Sequence, residues 1–213
     1  MPRTQPFDDY LDEYEAWFDK HRFVYLSELE AVRHFIPKNK TGVEIGIGTG
    51  RFAIPLGITE GVEPSRAMRE YARSKGVIVH DGVGEALPLP DESFDFALMV
   101  TTVCFVDDIL ATFREARRIL TPAGRLIIGL VDKTSPLGRL YEKYKEKNKF
   151  YRPATFYSTD EIISYLEEAG FGEIRVVQTV FGDLDSINEV QPFKDGLGKG
   201  GFVVLESVKS AQA

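Results

Sequence analysis

Apolar residues return at three- and four-residue steps through the first part of the chain. Phe7, Tyr10, Leu11, Tyr14, Trp17 and Phe18 mark one face, and Val24, Leu29, Val32 and Phe35 continue it until Pro37. That period predicts a helical segment over 7–35 with one stripe to bury. The pattern then shortens. GVEIGI (42–47) reads as a buried strand running into Gly46, Gly48 and Gly50, with a helical turn beginning near Arg51. A second strand ends at Val62 and Glu63, and Ser65 is the expected N-cap of an amphipathic helix that closes at Gly76. VIVH (77–80) and FDFALMV (94–100) are the third and fourth strands.

Ile109, Leu110, Phe113, Ala116, Ile119 and Leu120 share one face of a helix over 108–120, and a TPAG turn leads into GRLIIGLV (124–131), strand five. Residues 136–153 are charged and hold no clear strand. Ser158 and Glu161 then form a capping-box signature for a helix that ends at Gly170. EIRVVQTVF (173–181) and GFVVLESV (201–208) are the last two strands, separated by a long glycine-rich loop. Strand–helix alternation predicts an α/β sandwich around a mainly parallel sheet. The final pair has no helix between its strands and is expected to be antiparallel. Residues 1–37 are expected to cap a single globular unit over 38–213.

Composition narrows the function classes. A net charge of −7 argues against a phosphate-neutralising surface, so nucleic acid is not an expected partner. One cysteine, Cys104, excludes an internal disulfide and a Cys-rich zinc site and reads as a packing residue. His21, His34 and His80 stand far apart and form no metal-ligand pair, so no metal is expected. No apolar run approaches the length of a membrane span, and residues 1–25 are too acidic for a secretory signal. No membrane insertion and a cytoplasmic location are expected; oligomeric state is left open.

The chemistry concentrates in V43-E-I-G-I-G-T-G-R-F52. Glycines at a strand end let the backbone turn sharply and let a ligand lie against it, and the following helix start offers free N–H groups. The spacing is not GxGxxG, because the third glycine comes one residue early and Arg51 holds the sixth position. It is not a P-loop either, since the lysine is missing. Glu63 ends the second strand, 17 residues after Gly46, where an acid can accept both hydroxyls of an adenosine ribose.

Four stretches, EIGIGTGRF, VEPS, GEALPLPDESFD and REARRILTPAGRLIIG, make the chain resemble class I S-adenosylmethionine (SAM)-dependent methyltransferases. The resemblance is to the small-molecule branch that includes ubiquinone/menaquinone-biosynthesis methyltransferases. It implies a three-layer Rossmann-like sandwich with a mostly parallel seven-stranded sheet, order 3-2-1-4-5-7-6. It implies SAM as cofactor, with S-adenosylhomocysteine as product, and a small-molecule acceptor. By the same resemblance Glu44 orders the loop around the methionine amino group. Gly46, Gly48 and Gly50 pass beneath the methionine part, flanked by Thr49 and Arg51. Glu63 holds the ribose and Pro64 lies near the adenine. Gly84, Glu85, Ala86 and Leu87 edge that ring, and Val100, Thr101 and Thr102 border the methyl-transfer site.

Two departures stand out. Val83 occupies the place where the family often has an Asp, which leaves the adenine amino group to backbone atoms or to Asp81. Strand four ends Met99-Val100, so no Asn/Asp-Pro-Pro-Tyr amide-methylation motif is present. No residue demands a catalytic role. His21 is a candidate base, and Tyr14 and Trp17 are candidates to close over the sulfonium or simply to pack their helix. The run Arg139, Lys143, Lys145, Lys147, Lys149, Arg152, interleaved with Tyr141, Tyr144, Phe150 and Tyr151, either docks an anionic acceptor or forms a solvated helix face in which Glu142 and Glu146 pair its lysines. Two other functions stay open: a non-catalytic SAM-binding protein and a nucleotide-dependent oxidoreductase.

Overall fold

Short β-branched and apolar runs form the strands β1 (Gly42–Ile45), β2 (Glu60–Val62), β3 (Ile78–His80), β4 (Phe94–Val100) and β5 (Leu120–Val131). Three more follow: β6 (Phe171–Thr179), β7 (Lys194–Asp195) and β8 (Phe202–Lys209). The computed structural model describes residues 4–211, so the first three residues of the expected cap lie outside the described residues. The sheet order is β3-β2-β1-β4-β5-β8-β6-β7. The pairs among β1 to β5 are parallel, and β8 runs antiparallel to both β5 and β6. With β6 and β8 as the sixth and seventh expected strands, the order 3-2-1-4-5-7-6 is the one that forms. An eighth strand was not expected. β7 is two residues of the glycine-rich loop, paired as Val177↔Asp195 and Gln178↔Lys194, too short and polar to leave a period.

The N-terminal helix differs more. It is three helices, α1 (Gln5–Asp9), α2 (Leu11–Lys20) and α3 (Arg22–Arg33), broken at Tyr10 (φ −131°, ψ 39°) and His21 (φ −106°, ψ 42°). Neither break carries a glycine or proline. Each piece turns its share of the apolar stripe to a different target: Tyr14 and Trp17 face a cavity, whereas Val24, Ala31 and Val32 pack on the sheet.

The remaining helices are α4 (Ala53–Leu56), α5 (Arg66–Ser74), α6 (Ile109–Ile119), α7 (Pro136–Tyr144) and α8 (Thr159–Glu168). Ser65 caps α5 by accepting from the Met68 N–H at 3.3 Å, and the Ser158–Glu161 capping box opens α8. The TPAG turn is looped out within β5, where pairing jumps from Phe94↔Leu120 to Phe96↔Arg125. Strand alternation splits the core in two. Leu126 and Ile128 of β5 join Phe113 and Leu166 on one face, and Ile127 joins Val32 and Phe202 on the other. Cys104 is buried against Ala154 and Phe156. No helix among the described residues is long and apolar enough to cross a membrane.

Candidate cofactor and acceptor site

A cavity of about 1500 Å³ opens at the carboxyl ends of β1, β2 and β4, beneath α1 and α2. Ligands of open parallel sheets sit at that edge. The chain leaves β1 through Gly46 (φ +73°) and Gly48 (φ +55°), left-handed conformations that glycine adopts without strain. A Cβ on Gly46 would also stand 2.4 Å from Thr102 Cγ2. The Gly48 N–H donates to Glu63 Oε2 at 2.8 Å and the Ser65 N–H donates to Oε1 at 2.9 Å. Glu63 is thus fixed at both oxygens, keeps lone pairs for a ligand and lines the cavity. Burial pushes its carboxyl up to about 7, although those two N–H groups favour the ionised form.

Below the loop, Glu44 on β1 is 2 % exposed and its Oε2 has no hydrogen-bond partner. Burial drives its pKa well above the usual carboxylate range. Tyr14 stands over the loop, and a Cβ on Gly48 would lie 3.3 Å from its hydroxyl. Burial, then the nearby Glu63 and Glu44 carboxyls, push that phenol upward.

The first two helices are fastened to this loop. Glu15 of α2 accepts from Thr49 Oγ1 at 2.6 Å, from Arg51 Nη2 at 2.7 Å and from the Tyr71 hydroxyl at 3.2 Å. Asp8 of α1 accepts from Ser65 Oγ at 2.7 Å and the Ala67 N–H at 3.1 Å, at the start of α5. Lys149 reaches Glu13 at 2.7 Å.

Comparison with known proteins agrees with this architecture. Residues 43–128 match the family described as "Methyltransferase domain". A solved SAM-dependent methyltransferase, possible histamine N-methyltransferase, from Thermotoga maritima is 54% identical, with a TM-score of 0.94 over 97% of this chain and 99% of that one. The chain belongs to the class I SAM-dependent methyltransferases. An uncharacterized protein of Methanocaldococcus jannaschii is 44% identical over 95% of this chain and 98% of its own length. A demethylmenaquinone methyltransferase of Staphylococcus aureus is 27% identical over 66% of this chain and 71% of its own.

The residues of this methyltransferase fit SAM. The glycine turn is open where a Cβ would intrude, Glu63 presents spare lone pairs, and the orphaned Glu44 oxygen lies under the loop as an acceptor in want of a donor. Gly46, Gly48, Glu63 and Pro64 line the cavity, as do Gly84 and Glu85. Val100, Thr101 and Thr102 reach it from β4, and Tyr14, Trp17 and His21 from the cap. The structure does not bring every expected residue to its wall. Glu44 lies behind the wall, and Gly50 has Ile54 Cδ1 within 3.0 Å of where its Cβ would stand. Thr49 and Arg51 turn away to Glu15. Ala86 pairs back onto Val83, and Leu87 is buried in the core on the α6 side. The Glu85 carboxylate accepts from the Asp107 and Asp108 N–H groups at 2.6 and 3.1 Å, which orders the start of α6. Asp81 pairs with Arg69 at 3.0 Å and is off the wall, whereas Val83 and Gly84 line the cavity.

The basic run divides. Lys145 pairs with Glu142 at 3.6 Å, and Lys143 and Lys147 lie over the Tyr144 ring. Its aromatic members Tyr141, Phe150 and Tyr151 line the cavity, and so do Lys147 and Lys149. Sequence reasoning missed Glu15 and Glu28. Glu28 had a signal: Val24, Glu28 and Val32 fall four residues apart, so a charge stands in the apolar stripe.

The Glu15 latch yields a prediction. Removing an acceptor shared by three partly buried donors costs about 1–2 kcal/mol once solvent screening is allowed for. Glu15→Ala should release S-adenosylhomocysteine about tenfold faster in a stopped-flow chase. An unaltered off-rate would mean that α2 does not restrain the ligand.

Proposed function

We propose that this methyltransferase carries the SAM methyl group to a small-molecule acceptor bound in the same cavity. The carrying observation is the cavity itself. It runs from Glu63 and the glycine loop to an aromatic half around Trp17, Tyr141 and Tyr151, and about 1500 Å³ exceeds the roughly 300–1,000 Å³ of a single-ligand pocket. SAM supplies an electrophilic methyl group on a sulfonium. The chain's residues align and desolvate. Glu63 accepts from the ribose hydroxyls, Glu44 from behind the wall orders the loop around the amino group of the methionine part, and Gly46 and Gly48 leave room for its backbone. Thr101 and Thr102 border the transfer site. Thr102 Oγ1 donates to the Val100 carbonyl at 3.1 Å, which settles the β4 exit. Tyr14 and Trp17, on a cap latched by Glu15, keep water from an in-line displacement whose barrier falls mainly through alignment. Residues through 37 serve as that cap.

Histamine and demethylmenaquinone, the compounds in the names of two relatives, are both small organic molecules, which supports the acceptor class. Calorimetric titration with SAM, S-adenosylhomocysteine and NADH tests the cofactor, and transfer of labelled methyl groups into a low-mass metabolite pool tests turnover. The first two should bind, NADH should not, and label should move. Binding without any transfer would favour a non-catalytic SAM-binding protein, and binding of NADH alone would favour an oxidoreductase.

A further inference from the structure

The acceptor half of the cavity holds an acid that the cofactor residues leave unused. Glu28 of α3 is 7 % exposed and lines the cavity. Among the described residues no hydrogen bond or ion pair reaches its carboxyl, and burial alone pushes it up to about 8. Other interior acids hold at least one partner, Glu44 the Ala53 N–H on one oxygen. Glu206 sits between Arg125 and Arg175, and Glu63 holds two backbone N–H groups. An unpaired buried carboxyl burdens the fold. Its neighbours Val24, Leu29 and Val32 all pack as apolar residues, and an apolar side chain would pack there as well.

The walls beside it are aromatic. The Tyr141 and Tyr151 rings stack at 4.7 Å. Both phenols are raised first by burial, and the Glu28 charge adds to that shift, so they stand within its field. Trp17 lines the same cavity, with its ring centroid 5.0 Å from that of His21. A carboxylate in a cavity lined by aromatic rings suits a cation: the acid offers a charge-assisted hydrogen bond, and rings can offer their negative faces. Lys20, Lys147, Lys149 and Lys199 also line the cavity, but an anionic group set against Glu28 itself would meet repulsion, and a hydrocarbon or ether would leave the carboxyl unpaired.

Taking methyl transfer as the reaction, on which this step rests, we propose that Glu28 is the acceptor-binding carboxylate and that the acceptor is a small organic amine, its nitrogen held against Glu28 beside Tyr141 and Tyr151. The amine supplies the donor that the fold withholds, and Glu28 makes selection by charge.

Three matched probes test it. The S-adenosylhomocysteine-saturated protein is titrated by calorimetry with 2-phenylethylamine, histamine and phenylacetate, which separate charge from ring shape. The amines should bind and phenylacetate should not. Glu28→Gln should weaken amine binding by at least ~30-fold, the loss of one desolvated charge-assisted contact, while S-adenosylhomocysteine affinity stays within about twofold. Glu28→Asp should recover part of the loss. Phenylacetate binding as well as the amines, no amine binding, or undiminished amine binding by Glu28→Gln would each overturn the assignment. If S-adenosylhomocysteine binds in those cases, only the amine assignment falls; if it does not bind, the methyl-transfer reading falls as well.

Discussion

Replacing Glu63 by Ala should weaken SAM binding by about 100-fold, or close to 3 kcal/mol. A carboxylate accepting from two ribose hydroxyls contributes two charge-assisted contacts. The same side chain also receives the Gly48 N–H at 2.8 Å and the Ser65 N–H at 2.9 Å, so its removal frees the glycine loop from the start of α5. Glu63→Gln is not a mild variant, because its NH₂ group must face one of those two N–H donors; it should lose most of the same affinity. The pH dependence has a defined sign. Burial lifts the Glu63 carboxyl to about 7 against the pull of Ser65 and Gly48, with Arg69 lowering it and Asp8 raising it. Only the ionised form accepts from both hydroxyls without rearranging, so affinity should rise from pH 6 to pH 8. Adenosine as titrant isolates this contact from the amino group of methionine. Calorimetry showing equal SAM affinity for wild type and Glu63→Ala would remove the ribose assignment.

Much of the frame was legible because backbone geometry restricts residue choice. Left-handed φ at Gly46 and Gly48 needs glycine, the ends of β2 and α5 are marked by Glu63 and Ser65, and the Ser158–Glu161 box announces α8. The illegible parts depend on partners remote in sequence. Thr49 and Arg51 lie beside the glycines, yet their direction is set by Glu15, 34 and 36 residues earlier. The breaks at Tyr10 and His21 carry no turn residue, because each uninterrupted piece of stripe satisfies the same period. Asp81 looked suited to adenine, but Arg69, whose Nη1 also donates to the Glu63 carbonyl at 2.7 Å, holds it outside the wall. Glu28 was visible as a polar interruption of the α3 stripe. That the interruption meets a cavity depends on where α7 and the chain around Tyr151 come to rest.

Glu28 should also be a large pH-dependent liability of the fold. An acid with a raised folded-state pKa costs stability once the unfolded chain ionises. For Glu28 the cost starts above 4.5, grows as pH rises and levels off past about 8. A rise from 4.5 to about 8 corresponds to at most about 5 kcal/mol, and water entering the open cavity reduces this to roughly 2–4 kcal/mol. Glu28→Gln keeps the shape and removes the titration. Urea unfolding should therefore show the variant and wild type equal near pH 4.5 and the variant more stable by that margin at pH 8. Glu28→Ala separates packing from charge, since its loss of contacts is the same at both pH values. A wild-type–Glu28→Gln difference that does not change with pH would mean that the carboxyl is paired or hydrated in solution. An amine ligand should narrow the gap: 2-phenylethylamine gives the ionised carboxylate its missing partner, so it should stabilise wild type more at pH 8 than at pH 5 and leave Glu28→Gln nearly unaffected. A fold that carries an acid unsatisfied when empty and satisfied when occupied trades resting stability for acceptor selection.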